Sequence, residues 1–171
     1  MVEAGIIAED ERLELIGGEF FVMAAKGYAH ELIKTALIRA IVQVAPADVS
    51  VGVEMSIQFS PDMLLEPDIV VFPRARLKKS DAEFSTFDLG GCSLIIEVAA
   101  SRLGYDKRLK AALYASLGVL EYWVIDANRR MIWVHTGAPA EGWSSIVERG
   151  PTETLTTPAL PGFSIRLGDI D

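Results

Sequence analysis

Glu66-Pro67-Asp68-Ile69-Val70-Val71-Phe72 is an apolar, β-branched run broken by one inner acid, Asp68. About thirty residues on, Ser93-Leu94-Ile95-Ile96-Glu97-Val98-Ala99 repeats the pattern, with Glu97 as the acid. Runs of this kind read as buried strands. Burying an ionised carboxylate costs several kcal/mol unless something compensates it. Two such carboxylates on neighbouring strands repel each other, and a divalent cation is the simplest remedy. Asp68 and Glu97 are therefore candidate metal ligands. From spacing alone, an arginine partner for each carboxylate is the competing explanation.

The totals frame this reading. The chain has 171 residues, half of them apolar, and suits one domain over 1–171 with an ordinary core. Its single cysteine, Cys92, excludes an internal disulfide framework and any Cys-rich zinc site, and reads as a buried small hydrophobe. No apolar run reaches the ~18 residues of a membrane span. The acidic start lacks the basic segment of a signal peptide, so the expectation is a soluble cytoplasmic protein. The net charge of −8 argues against a general nucleic-acid binder. Yet residues 74–110 hold eight basic and five acidic side chains, a local +3 around the two acidic runs. Singly these cations read as solvated surface; together they form a candidate phosphate-facing patch.

Residues 1–10 carry no periodic signal and read as a loose or partly helical arm. Glu11 to Met23 reads as a hairpin about Gly17-Gly18, with Leu13 and Leu15 alternating with charges and nothing suggesting chemistry. Ala29 to Val44 reads as a helix whose buried face is Ala29, Ile33, Ala36, Leu37, Ala40, Ile41 and Val44. His30, Glu31 and Lys34 fall off that face. The preferred reading makes Glu31 a favourable charge at the helix start and His30 an exposed or capping ring, the alternative being that one of them lines the site. Val49 to Phe59 reads as one strand and includes Glu54, an acid within reach of Asp68 across the following hairpin. Arg74 to Gly91 reads as a surface loop or short helix.

The second helix region is Ser101 to Leu117, firmly helical from about Tyr105. Its expected buried stripe is Leu109, Leu113 and Leu117 with Ala112 and Ser116, and Asp106, Lys110 and Tyr114 share a face beside it. Gly118 suits the helix end. Leu120 to Asp126 and Met131 to Thr136 form a hairpin, Trp143 to Val147 is a weaker strand, and the Pro-rich tail reads as a packing strap. His135 has no nearby His or Cys, which leaves a zinc role unsupported.

Carboxylate oxygens are hard ligands suited to Mg2+ or Mn2+. Such an ion polarises a phosphate and lowers the pKa of a bound water. A lysine beside it stabilises the charge that builds on the phosphate oxygens. Asp68, Glu97 and a nearby lysine are thus a minimal phosphodiester-hydrolysis set, and no Walker loop, dinucleotide fingerprint or Ser–His–Asp set competes.

Glu66-Pro67-Asp68 followed by Ile96-Glu97-Val98-Ala99-Ala100-Ser101 resembles the PD-(D/E)XK nuclease superfamily. Asp106-x-x-x-Lys110-x-x-x-Tyr114 and Gly118-Val119-x-Glu121-Tyr122-Trp123-x-x-Asp126 narrow the resemblance to its Uma-type restriction endonuclease branch. Leu13 to Glu19 and Pro161-Gly162-Phe163 extend it over nearly the whole chain. The resemblance implies a restriction-endonuclease-like fold of mixed α/β (α+β) class: a mixed central sheet flanked by helices, with N-terminal and C-terminal hairpins. It implies metal ligation by Asp68 and Glu97, with the Val98 carbonyl as third ligand. The superfamily lysine would stand at Ala99; in this branch its role moves to the following helix, to Lys110 or else Lys107. Glu54 is carried over as an accessory carboxylate, Ser101 and Tyr114 more weakly.

The leading expectation is a metal-dependent endonuclease acting on DNA, as a homodimer that gathers two basic patches, with the Tyr122–Trp133 hairpin as interface. A non-catalytic binding protein on the same fold, or a phosphodiesterase acting on RNA or a small molecule, are the alternatives.

Overall fold

The computed structural model describes residues 13–23, 25–88, 90–137 and 142–171; the expected N-terminal arm lies outside them. In chain order the strands are β1 (Leu13–Ile16), β2 (Glu19–Val22), β3 (Val49–Val53), β4 (Ile57–Ser60), β5 (Met63–Leu65), β6 (Ile69–Pro73), β7 (Lys78–Lys79), β8 (Ser85–Thr86), β9 (Leu94–Ala99), β10 (Glu121–Asp126), β11 (Met131–Thr136) and β12 (Ser145–Arg149). A first helix spans Tyr28–Val44. A second runs through an α turn Leu103–Tyr105, a π turn Asp106–Lys110 and an α segment Ala111–Ser116.

The central sheet has the order β12-β11-β10-β9-β6-β3. Only β9 and β10 run parallel, joined by the crossover that contains the second helix; the other neighbours are antiparallel. The second sheet, β2-β1-β5-β4-β8-β7, includes the N-terminal hairpin. At that hairpin's tip Gly17 and Gly18 have φ of +59° and +83°, the left-handed pair that a tight two-residue turn requires.

Side-chain alternation in the central strands makes two cores. Ile69, Val71, Leu94, Ile96, Trp123 and Ile125 face Ile33, Leu37 and Ile41 of the first helix. Val70, Phe72, Ile95, Tyr122 and Val124 face Ala111 and Tyr114 of the second helix, with Ile57 and Leu65 of the second sheet. The tail is a strap, as its composition implied. Leu155, Leu160, Phe163, Leu167 and Ile170 are all buried in the first core, and the Phe163 ring lies 6.0 Å from that of Trp123. Cys92 is buried, and desolvation pushes its thiol up to about 12.

Several expectations need correction. Val49 to Phe59 is not one strand. Glu54 takes φ +48° and donates its N–H to the Asp68 carbonyl, which ends β3 and lets β4 leave for the second sheet. The run from Glu66 contains a break too: β6 begins only at Ile69, after Pro67 and Asp68. Residues 74–91 hold a single 3-10 turn, Arg74–Arg76, and the two-residue strands β7 and β8. Tyr122, named as part of a dimer surface, is fully buried in the second core, so it offers no surface to a partner.

Because Phe163 is a core residue near the end of the chain, Phe163→Ala removes about 3–5 kcal/mol of stability. Urea denaturation measures this; a loss below about 1 kcal/mol would mean that the strap is not part of the cooperative core.

Candidate active site

The register of β6 on β9 brings the two acids together. Ile69 pairs with Ile96 and Val70 with Ile95. One step further in the same register sets Asp68 opposite Glu97, and facing residues of an antiparallel pair project to the same side. The Val98 N–H closes the arrangement by donating to Asp68 Oδ2 at 2.8 Å. Both acids are buried, Asp68 at 4% exposure and Glu97 at 6%.

Cations surround each acid. Asp68 Oδ1 accepts from Lys26 Nζ at 2.8 Å, and both Asp68 oxygens lie 3.0 Å from His30 Nε2. Lys26 also reaches Glu54 at 2.6 Å, and Lys34 holds Glu54 and Glu31. Burial alone would raise the Asp68 pKa, but His30 and Lys26 outweigh it and hold the carboxyl at about 2. Glu54 is likewise at about 2, with Lys26 and Lys34 outweighing its desolvation.

Glu97 Oε1 accepts from Lys110 Nζ at 2.8 Å and from the Tyr114 hydroxyl at 2.9 Å. Lys110 also donates to Glu14 of β1 at 2.9 Å, and Glu14 accepts the Glu66 N–H. Here the negative charge is in surplus. Burial pushes Glu97 up to about 8, and Asp68, Asp106 and Glu14 add to the rise against the opposing pull of Lys110. Burial, with Asp68 and Glu14 adding to it, raises Asp106 to about 6, and Glu97 and Glu14 keep Lys110 firmly charged.

The two clusters share one pocket, which offers about 80 Å³ of room for water-sized molecules. Lys26, His30, Asp68, Glu97, Tyr105 and Lys110 are in its wall, with Val98, Ala99 and Asp106 beside them. The Tyr105 hydroxyl is a buried polar atom with no hydrogen-bond partner, so this wall keeps one donor in reserve.

Of the residues expected from sequence, Asp68, Glu97, Val98 and Lys110 are brought to this pocket, and Glu54 is linked to it through Lys26. Lys107 is not: its Nζ lies 3.5 Å from the Trp133 ring centroid, where a cation meets an aromatic face. Ser101 stands at the rim, and Tyr114 contacts Glu97 from behind.

Three residues, Lys34, Glu14 and Lys26, escaped the sequence reading, and a fourth, His30, stood there only as the alternative. His30 and Lys34 are buried, not on an exposed face; with Leu37 and Ile41 they form one i, i+4, i+7, i+11 stripe whose polar end points at the acids. That spacing was a usable signal, since polar residues at core positions of a helix demand partners. Glu14 also contradicts the hairpin reading: it is the inward side chain of β1, where Leu13 and Leu15 were expected. Lys26 left no pattern at all. On the second helix the stripes are exchanged: Asp106, Lys110 and Tyr114 are buried while Leu109 is 42% exposed. The π turn helps here, because an extra residue per turn rotates the following segment against the first.

Among the described residues, no group of three or more His, Cys, Asp and Glu is arranged to hold a metal ion. Lys26 and His30 hold the Asp68 oxygens, and Lys110 holds Glu97 Oε1. The donor set nevertheless fits a hard divalent ion. It consists of carboxylate oxygens facing one open space, and Glu97 remains under-compensated with Lys110 in place.

A mixed central sheet with helices on both faces, carrying facing acids on adjacent strands and a lysine from the next helix, has the restriction-endonuclease-like architecture. The chain matches the family model Uma2, described as "Putative restriction endonuclease", over residues 3–168, and it belongs to that family. Its fold is also similar to a solved structure described as "a putative nuclease belonging to DUF820 from Anabaena variabilis ATCC 29413". The two chains are 16% identical, with a TM-score of 0.76 over 98% of this chain and 94% of that one. No curated protein matches the chain. Among the described residues no helix is long and apolar enough to cross a membrane.

Asp106 gives a pH signature. Its pKa is about 6 in the folded protein against an ordinary 3.8, so between these values the folded state keeps a proton that the unfolded chain has released. That contribution to stability is lost as pH rises through about 6. Asp106→Asn keeps the neutral form at every pH. Its stability relative to wild type should therefore climb across this window, to a gain on the order of 1–3 kcal/mol at neutral pH. Urea melts in a pH series test this, and a difference that shrinks as pH rises contradicts it.

Proposed function

We propose that this chain is a divalent-metal-dependent endonuclease that hydrolyses phosphodiester bonds of DNA, with Mg2+ or Mn2+ as its cofactor. The observation that carries the reading is the facing pair Asp68 and Glu97, in one pocket with Lys110 at 2.8 Å from Glu97, in a chain of the restriction endonuclease family. Asp68, Glu97 and the Val98 carbonyl would hold the ion, with Glu54 as an accessory carboxylate. When bound, the ion supplies Lewis acidity at the phosphate and a water of lowered pKa.

The chain's own residues prepare that chemistry. His30 and the Val98 N–H fix the Asp68 carboxylate, and His30 with Lys26 keeps it ionised. Lys110 and Tyr114 orient Glu97, and the Lys110 charge opposes its protonation. In the hydrolysis, a water oxygen bonds to phosphorus and the phosphorus bond to the leaving sugar oxygen breaks. The proton lost by the water balances the one gained by the leaving oxygen, so neither oxidant nor reductant is needed. Exposed Arg102 at the rim, with Arg74, Arg76 and Arg108 elsewhere on the surface, is suited to the phosphate backbone. A homodimer would double this sparse positive surface, and light scattering with DNA bound reports that state.

The direct test is cleavage of plasmid, linear duplex and single-stranded DNA with Mg2+ or Mn2+. Asp68→Ala should lower a metal-dependent wild-type rate by at least about a hundredfold. Equal rates for wild type and variant, or cleavage that survives chelation, would refute the reading. Cleavage restricted to RNA would retain the site and change the substrate.

A further inference from the structure

Lys110 is poorly placed to face a phosphate. It is only 4% exposed and lies between β1, β9 and the second helix, donating to Glu14 and Glu97. Turning it toward substrate would leave two buried acids without their cation, a costly arrangement. Lys110 is therefore a positioning residue that acts through Glu97. The cation next to the reacting phosphate is then unassigned, and Ala99 supplies none.

We infer that Lys26 fills this role: its ammonium rests between Asp68 and Glu54 in the ion-free site and turns to the phosphate when those acids are compensated by a divalent ion. The inference rests on the endonuclease reading above. Three observations favour Lys26 over the other cations of the pocket wall, His30, Arg102 and Lys110.

First, its ammonium pairs with the acids of the site itself, Asp68 at 2.8 Å and Glu54 at 2.6 Å, so a divalent ion on those acids competes with it directly. Second, its release leaves neither acid without a partner. Asp68 keeps His30 and the Val98 N–H, and Glu54 keeps Lys34. Third, it can move. Lys26 belongs to the irregular stretch before the first helix, its side chain is 12% exposed, and adjacent Gly27 has open space where a Cβ would stand. His30 lacks this freedom, because it is buried on the helix and bonded to Asp68 and Glu31. Arg102 is exposed at the rim, where it meets solvent before it meets the acids.

A competitor that also stabilises the transition state has an unusual signature: removing it improves ion binding and harms turnover. Calorimetric titration with Mn2+ and DNA cleavage rates are measured on wild type, Lys26→Met, Lys26→Arg, Lys110→Met and Arg102→Met, with circular dichroism as the folding check. Lys26→Met should bind Mn2+ at least about tenfold more tightly and cleave at least about a hundredfold more slowly. Lys26→Arg should return the Mn2+ affinity toward wild type and recover part of the rate. Lys110→Met should not show the Lys26→Met pairing of tighter Mn2+ binding with slower cleavage. Lys26→Met with unchanged or weaker Mn2+ affinity, or with cleavage within about threefold of wild type, overturns the inference while the endonuclease reading stands. So does a rate loss seen in Arg102→Met and not in Lys26→Met. A wild-type protein that neither binds Mn2+ nor cleaves DNA overturns both.

Discussion

Two carboxylates facing each other across an antiparallel strand pair, inside the protein, are the constraint from which the site is built. The β6–β9 register creates the pair, and neither strand can shift by one residue without turning its apolar side chains to the wrong core. The acids are thus locked in place by the hydrophobic alternation of the same strands. What remains is to compensate them, and each flanking element sends something inward to do so. The stretch before the first helix sends Lys26, and that helix sends His30. The second helix sends Lys110 and Tyr114.

The compensation is uneven. Around Asp68 and Glu54 the cations prevail, and both acids are held well below their ordinary range. Around Glu97 a single ammonium serves Glu14 and Glu97 with Asp106 close by, and Glu97 and Asp106 are raised. One pocket therefore holds an ionised half and a half that retains protons readily. Strongly shifted acids gathered in one cleft mark a candidate functional site.

Much of this was legible because it broke a pattern. Asp68 and Glu97 interrupted runs that were otherwise greasy, and Lys110 and Tyr114 followed Asp106 at helical spacing. The rest was hidden for physical reasons. His30 and Lys34 lie on the buried stripe of the first helix, but alanines on neighbouring positions drew the apolar face toward themselves. On the second helix leucines advertised a buried face that the fold leaves half-exposed, because the π turn and the partner acids favour Lys110 and Tyr114 inside. Glu14 alternates with leucines, so its strand looked inverted. The break at Glu54 carries no glycine to announce it, although its φ is in the left-handed region. Lys26 reaches the site from a stretch with no period at all. Sequence reading found residues that violate their own element's rule and missed those whose partners come from elsewhere.

The C-terminal strap has a consequence for how the molecule comes into being. The core that the first helix packs on is closed by Leu155, Phe163 and Ile170, more than about 110 residues after the last buried position of that helix. A nascent chain presents the first helix well before it presents the strap that completes the core this helix packs on. Until the strap arrives, Trp123 and its neighbours are open to water and to other chains. Such long-range closure slows folding. Synthesis therefore passes through a stage in which the first helix exists without the completed core it packs on.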